Sequence, residues 1–328
     1  MSSWRNMVDL HCHYLPGVDD GARSLDQGLE LLRRAFDNGI DRIVLTPHIH
    51  PGRYNNTLQS LRARFETFRR AALSAQIPVQ LALGGEVRFG GDLLPMLEQD
   101  MVPMFKSAAG EKTLLLEFPH HQIPAGAAQL VRWLKQNNIT PLIAHPERNK
   151  ELMKYPQRLE ALLGEGCRVQ VTAAAVIGKF GDGAQRASRY FLDRNWVSIV
   201  ATDAHNLAHR PPLLREAAER VAVWYGDDVA LRLVETAPAQ LSAGNFAEAM
   251  PAVIRSALHP EIITLSAADI AMDESEGSRR EPVIGNGDLC GVALNHLQAE
   301  LNRRAHRPGN AGKQASRILN LMKSWQPQ

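Results

Sequence analysis

Cysteine is scarce in this chain, and neither sign of charge prevails. Among 328 residues there are three cysteines, Cys12, Cys167 and Cys290, too few and too far apart for a disulfide framework. No Cys-x-x-Cys pair is present, which removes a zinc knuckle. Lysine and arginine total 37 against 35 acidic residues, and a net charge of +2 does not suit a dedicated nucleic-acid binder. No apolar run approaches the roughly 18 residues of a membrane span, and residues 1–7 carry no signal-peptide core. The expectation is a cytoplasmic protein without stable membrane insertion. Neither a GxGxxG after the first strand nor a Walker A sequence occurs, so a nucleotide fold has no positive support.

What remains is an ordinary globular composition, 45% hydrophobic and 22% charged, with twelve histidines. Short apolar, β-branched runs at 8–10, 42–46, 79–83, 113–118, 141–144, 168–172 and 197–201 read as strands. Between them apolar residues recur at helical spacing, as at Leu25, Leu29, Leu32 and Phe36, then Leu58, Leu61, Phe65 and Phe68. Ser24 is placed to cap the first of these helices, and Asn38-Gly39 to close it. Strand–helix alternation specifies a parallel sheet. About seven units favour an α/β fold closed as a (β/α) barrel over an open doubly wound sheet.

Six of the seven strand ends carry histidine or acid. The first gives His11-Cys12-His13 and Asp19-Asp20-Gly21, the second Thr46-Pro47-His48-Ile49-His50. The third ends in Gly84-Gly85-Glu86 and the fourth in Leu116-Glu117. The fifth gives His145-Pro146-Glu147-Arg148, the seventh Asp203-Ala204-His205. Side chains alternate along a strand, so His11 and His13 face together, as do Asp203 and His205. In a (β/α) barrel these ends meet on one face. Imidazole and carboxylate donors without thiolate favour Mn, Zn or Fe, and several carboxylates help to hold more than one ion. Paired or triple metals suit phosphate ester hydrolysis, since they orient an in-line attack and neutralise charge on both oxygens. Arg148 and Arg210 stand beside these motifs, and a guanidinium fork matches phosphate oxygens. A cysteine-dependent phosphatase mechanism is excluded, because no cysteine has an arginine six positions later as a C-x5-R loop needs. An amidohydrolase also opens with His-x-His. The closing Asp203-x-His205, the acids on strands three and four and the lack of a strand-end lysine favour a phosphoesterase.

The set His11-x-His13, Asp20, His48, Glu86, Glu117, His145 and Asp203-x-His205 resembles the polymerase and histidinol phosphatase (PHP) superfamily. Within it, Asp9-Leu10-His11-Cys12-His13 with Val18-Asp19-Asp20-Gly21 is similar to the bacterial capsule-associated tyrosine phosphatases of the CpsB/CapC/YwqE type. So are Ile143-Ala144-His145-Pro146-Glu147-Arg148, Gln170-Val171-Thr172-Ala173, and Ala201-Thr202-Asp203-Ala204-His205-Asn206 with Arg210-Pro211-Pro212. The resemblance implies a distorted (β/α)7 barrel of PHP type with a trinuclear, usually manganese, site; Zn, Fe, Co or Mg are the other metals weighed. It implies that His11, His13, Glu86 and Asp203 hold one metal, that Glu86 bridges to a second held by Glu117 and His145, and that Asp20, His48 and His205 complete the cluster. Arg148 and Arg210 match positions that bind the substrate phosphate, and His48 joins them as a catalytic candidate. The implied activity is a metal-dependent protein-tyrosine phosphatase acting through a metal-activated water on a bacterial tyrosine kinase of capsular or exopolysaccharide synthesis. Two positions depart from the family pattern and bear on what the pocket admits: Asn149, where an aromatic residue is frequent, and His50 in the Pro51-Gly52-Arg53-Tyr54 loop.

The barrel is expected over 1–244, with 245–328 an extension of linker, short helices at 289–301 and 315–325, and a basic end. Every charged residue after Leu301 is basic, while 269–287 reads as linker. Two rivals stay open, a small-molecule phosphatase of the histidinol-phosphate type and a non-catalytic regulatory partner of an export kinase. A homo-oligomer is not decided either way.

Overall fold

A computed structural model of the chain describes residues 4–249. The linker, the two short helices and the basic end expected beyond them lie outside the described residues. Among the described residues there are ten strands: β1 Met7–Asp9, β2 Ile40–Leu45, β3 His48–Ile49, β4 Gln80–Leu83, β5 Glu86–Arg88, β6 Phe105–Lys106, β7 Lys112–Glu117, β8 Ile139–Ala144, β9 Arg168–Thr172 and β10 Ile199–Ala201. Seven of them, β1, β2, β4, β7, β8, β9 and β10, overlap the runs read from sequence. β1, β2 and β4 form one parallel sheet, and β10-β9-β8-β7-β5-β3 another, with only β6 antiparallel, on β7.

The two sheets are one wall. β2 and β3 are a single strand interrupted at Thr46-Pro47, where proline removes a ladder donor. β4 and β5 are likewise one strand broken at Gly84-Gly85. The ladder spans both breaks, because Gly84 N–H donates to Leu45 O (2.8 Å) and Glu86 N–H to Pro47 O (3.1 Å). Glycine is required there: a Cβ on Gly85 would stand 2.7 Å from the Ile49 side chain, and one on Gly84 2.9 Å from the Phe105 ring. The wall closes where β1 meets β10, by Asp203 N–H to His11 O (2.7 Å) and His13 N–H to Ala204 O (2.9 Å). The result is the seven-stranded, distorted barrel expected from the strand count and the family resemblance.

Val8, Leu10, Val44, Ala82, Leu115, Leu142, Ala144 and Ile199 fill the barrel with Phe105. Full burial of one such side chain is worth about 1.5–3 kcal/mol. The helix Leu25–Asp37 begins at Ser24, whose Oγ accepts from Gln27 N–H, and ends at Asn38 as expected. Its buried face is Gly28, Leu31, Leu32 and Ala35, whereas Leu25 is exposed. The small Gly28 decides this, since a Cβ there would lie 2.6 Å from Tyr14 O. Helix Leu58–Ser74 buries Leu61, Phe65, Phe68 and Ala72.

The boundary placed at Gly244 falls inside the helix Ala237–Ala249. That helix lays Leu241 and Phe246 into the barrel core. Asn245 fixes it to the β6 segment, accepting from Lys106 N–H (2.6 Å) and donating to Met104 O (2.9 Å). Gly244 allows the approach, for a Cβ there would meet Ser107 O at 2.6 Å. Among the described residues no helix is long and apolar enough to cross a membrane.

Candidate metal centre

All nine residues singled out as ligands meet at the C-terminal ends of the strands. They fall into four overlapping groups, each with ligand atoms within 4.8 Å of one another: His13, Asp20, His48 and His205; His11, His145 and Asp203; His11, His13 and Glu86; and His48, Glu86 and Glu117. Glu86 lies at the centre. Its Oε2 is 2.9 Å from His48 Nδ1, 3.3 Å from His11 Nε2 and 3.4 Å from His13 Nε2, while Oε1 is 2.8 Å from His145 Nε2. The groups cut across the expected partition: Glu117 collects with His48, His145 with His11 and Asp203, and His13 also with Asp20, His48 and His205. Arg88 Nη1 pairs with Glu117 Oε1 at 3.0 Å.

Backbone irregularities aim these groups. Val8 and Leu10 belong to the apolar core, yet His11 and His13 share the polar cluster, so the inward side of the strand shifts by one residue. The shift sits where His11 N–H turns to Asp9 Oδ1 (3.2 Å). His145 and Asp203 have φ of 33° and 50°, left-handed values that cost about 1–3 kcal/mol each in a non-glycine residue. Neighbours hold both, through His145 N–H to Gln170 Oε1 (3.2 Å) and Asp203 N–H to His11 O (2.7 Å).

Three histidines have their Nδ1 tied on the outer side. His11 Nδ1 faces Gln170 Oε1 at 2.9 Å, His13 Nδ1 faces Asp19 Oδ2 at 2.7 Å, and His205 Nδ1 faces the Asp203 carbonyl at 3.0 Å. Each ring thereby turns Nε2 inward, the arrangement that readies imidazole as a metal ligand. The inward atoms His11 Nε2, His13 Nε2, His205 Nε2, Glu86 Oε2 and Asp203 Oδ1 are buried and make no aligned hydrogen bond among the described residues, even where Glu86 Oε2 comes within 2.9 Å of His48 Nδ1. Leaving one such atom unpaired costs about 1–3 kcal/mol. Five converging on one space, all imidazole or carboxylate, fit divalent cations of the Mn, Fe or Zn kind.

The two inner carboxylates are ionised, as that fit requires. Burial opposes ionisation of Glu86, but His11, His48 and His13 overcome it and hold its carboxyl well below the ordinary range. Burial likewise opposes charge on Asp203, and His11, Arg210 and Arg148 keep it ionised. His48, with burial against it, is pushed up to about 10 by Glu86 and Asp20. Burial and the neighbouring His13 lower His205 to about 4.

Arg148 and Arg210 both pair with Asp203 Oδ2, whereas Asp203 Oδ1 faces His11 and His13 at 3.3 and 3.4 Å. One carboxylate therefore joins the two halves of the site. Arg148 also lies over the Phe180 ring, 4.8 Å from its centroid. The cavity in front holds these arginines with His50, Arg53, Tyr54 and Arg88. Tyr54 stacks on His48 with centroids 5.5 Å apart and planes 5° from parallel. Of the two departures from the family pattern, His50 lines the cavity and Asn149 does not. Asn149 is a buried helix cap that accepts from Glu151 and Leu152 N–H and donates to Pro119 O (2.8 Å).

Sequence reading left Asp9, Asp19, Gln170 and Thr202 out of the site, although each orients it. Asp9 accepts from His11 N–H, Thr202 N–H (3.0 Å) and Thr202 Oγ1 (2.5 Å), tying β1 to β10. The available signal was a polar side chain in a strand buried throughout: Gln170 lies between Val169 and Val171, all three buried. Cys12 and Cys167 supply no alternative nucleophile. Both are buried, which pushes the Cys12 thiol well above its ordinary value and Cys167 up to about 12.

Known proteins are similar to this chain in sequence and fold. Tyrosine-protein phosphatase YwqE of Bacillus subtilis is 33% identical over 232 residues, 70% of this chain and 90% of that protein. Tyrosine-protein phosphatase CpsB of Streptococcus pneumoniae is 30% identical over 244 residues, 72% of this chain and 98% of that protein. A crystal structure from the work on YwqE and CpsB, described as unique metal-dependent tyrosine phosphatases, superposes with a TM-score of 0.67 at 32% identity, over 72% of this chain and 94% of that one. The family model for capsular polysaccharide synthesis proteins CpsB/CapC matches residues 7–242, well over half of the chain. By sequence and fold, the chain belongs to the CpsB/CapC family.

Proposed function

We propose that this protein is a metal-dependent protein-tyrosine phosphatase, working with three manganese ions on a phosphotyrosine protein, a bacterial tyrosine kinase of capsular or exopolysaccharide synthesis. The observation that carries this reading is Asp203, with one oxygen toward the histidines and the other held by Arg148 and Arg210. Phosphate needs both surroundings at once: cations on one side and guanidinium forks on the other. On this reading His11, His13, Glu86 and Asp203 would hold one ion, and Asp20, His48, Glu117, His145 and His205 the rest; in support, His11 and His13 Nε2 each lie 3.3 or 3.4 Å from both Glu86 Oε2 and Asp203 Oδ1. Divalent ions bound there supply Lewis acidity to phosphate oxygens and lower the pKa of water. Arg148 and Arg210 orient the phosphate and balance charge building on its oxygens. Phenolate, with a conjugate acid pKa of about 10, leaves more readily than an alkoxide, which lessens the need for a strong general acid.

The test is the full chain, stripped of metal, reloaded with Mn and offered phosphotyrosine peptides, phosphoserine peptides and histidinol phosphate. Release of phosphate from phosphotyrosine in preference to the other two is expected. No phosphotyrosine hydrolysis with Mn, Zn, Fe, Co or Mg would sink the proposal, and preference for histidinol phosphate would replace it with the small-molecule reading.

A further inference from the structure

Gln170 sits on β9 in register with Ala144 of β8, one residue before His145. It is fully buried between two valines, where a glutamine amide is costly unless both its ends are used. Only one end is. Its Nε2 has no partner among the described residues, whereas Oε1 receives two contacts, from His145 N–H at 3.2 Å and His11 Nδ1 at 2.9 Å.

The first contact determines the second. A backbone N–H can only donate, so the amide atom facing His145 is the oxygen. Because that same atom faces His11 Nδ1, the ring nitrogen must carry the hydrogen there. His11 then has only Nε2 to present to the space shared with Glu86 Oε2 and Asp203 Oδ1, each at 3.3 Å. The other contact holds the amide of His145 in its left-handed conformation. His145 Nε2 in turn reaches Glu86 Oε1 at 2.8 Å. One neutral oxygen therefore sets the direction of two candidate ligands carried by strands that are not adjacent. A packing role would be served as well by leucine, without an unpaired amide nitrogen.

We infer that Gln170 is a positioning residue for metal binding, a clamp that fixes the ring of His11 and the backbone of His145 through a single acceptor. The inference rests on the reading of the cluster as a metal centre. Outer partners of ligating histidines are typically worth 10–100-fold in metal affinity.

The experiment measures Mn affinity of the metal-stripped full chain by competition with a fluorescent chelator, alongside the melting temperature of the stripped protein. Gln170→Leu keeps the volume and removes the acceptor; Mn binding is expected to weaken about 10–100-fold in a metal-free protein that still melts cooperatively, at a lower temperature because two donors lose their partner. Gln170→Glu keeps an oxygen in place and is expected to restore affinity to within about three-fold of the parent. If the leucine variant does not fold, Gln170→Asn reads the same point, since the shorter side chain withdraws the oxygen. Parental affinity in the leucine or asparagine protein overturns the inference, as does equal loss in the leucine and glutamate proteins. Failure of the parent itself to bind Mn, Zn, Fe, Co or Mg would instead strike the metal reading on which the clamp depends.

Discussion

At the inner end of the cavity, His11, His13, Glu86 and Asp203 are buried, and their far sides are tied by Gln170, Asp19, His145 and the two arginines. At the mouth, Asp20 is 44% exposed, and His48 and Glu117 are about 15% exposed, with Arg53 and Tyr54 beyond them. The far-side bonds of the inner groups aim their inward atoms at one place. The outer groups are more open to solvent. Preorganised charge is most effective where water is excluded, so the buried end should matter more to chemistry than the open one.

The largest effect that would break this contrast lies at Asp203. Replacing it with alanine removes an inner carboxylate and leaves Arg148 and Arg210 without their shared partner. Phosphotyrosine turnover is expected to fall at least on the order of 10³-fold, with bound Mn reduced. Asp20→Asn, at the exposed mouth, is expected to cost roughly ten-fold, in line with the lower end of what a single positioned group contributes. Metal analysis with steady-state kinetics on both variants checks the comparison, and equal losses would show the two ends to be alike.

Next in size is Arg210→Ala. Here kcat/KM for phosphotyrosine is expected to drop roughly 10²-fold while Mn content stays at the parental level, since the guanidinium is bonded to the cluster through Asp203 and the backbone contact of its carbonyl with His205 N–H survives the change. Arg210→Lys should not rescue it fully, because a point charge replaces a fork. Loss of metal in the alanine variant would mean that the two halves of the site are not separable.

Much of this site could be read in advance for a physical reason. His11, His13, Asp203 and His205 sit at strand ends at alternating positions, and a parallel barrel gathers such ends on one face. The nine residues stood out because charged and imidazole groups interrupt apolar strands. Asp19 and Gln170 did not, as their roles depend on which atom of a distant histidine they meet. The breaks at Thr46-Pro47 and Gly84-Gly85 concealed β3 and β5, since proline and glycine mark the end of a strand in a sequence even where the ladder resumes. Gly244, too, reads as a helix stop in a sequence, but it lies inside the helix Ala237–Ala249 and lets that helix approach Ser107 O. Phe246→Ala, just past it, is therefore expected to destabilise the full chain by about 3 kcal/mol in denaturant unfolding. A change below about 0.5 kcal/mol would show that Phe246 adds nothing to the barrel core.

Asn149 makes the smallest and most discriminating case. Its neighbours His145 and Arg148 belong to the site, and the family pattern placed it as a determinant of the pocket. Its side chain instead caps the helix Lys150–Lys154 and reaches back to Pro119 O after β7. Capping groups of this kind contribute about 1 kcal/mol, and their loss acts on stability before it acts on chemistry. Asn149→Ala is expected to lower unfolding free energy by about that amount while kcat and KM for phosphotyrosine peptides stay within about two-fold of the parent. A changed preference among peptides with unchanged stability would instead put Asn149 in the substrate's path, and the open mouth would then extend to the β8 loop as well.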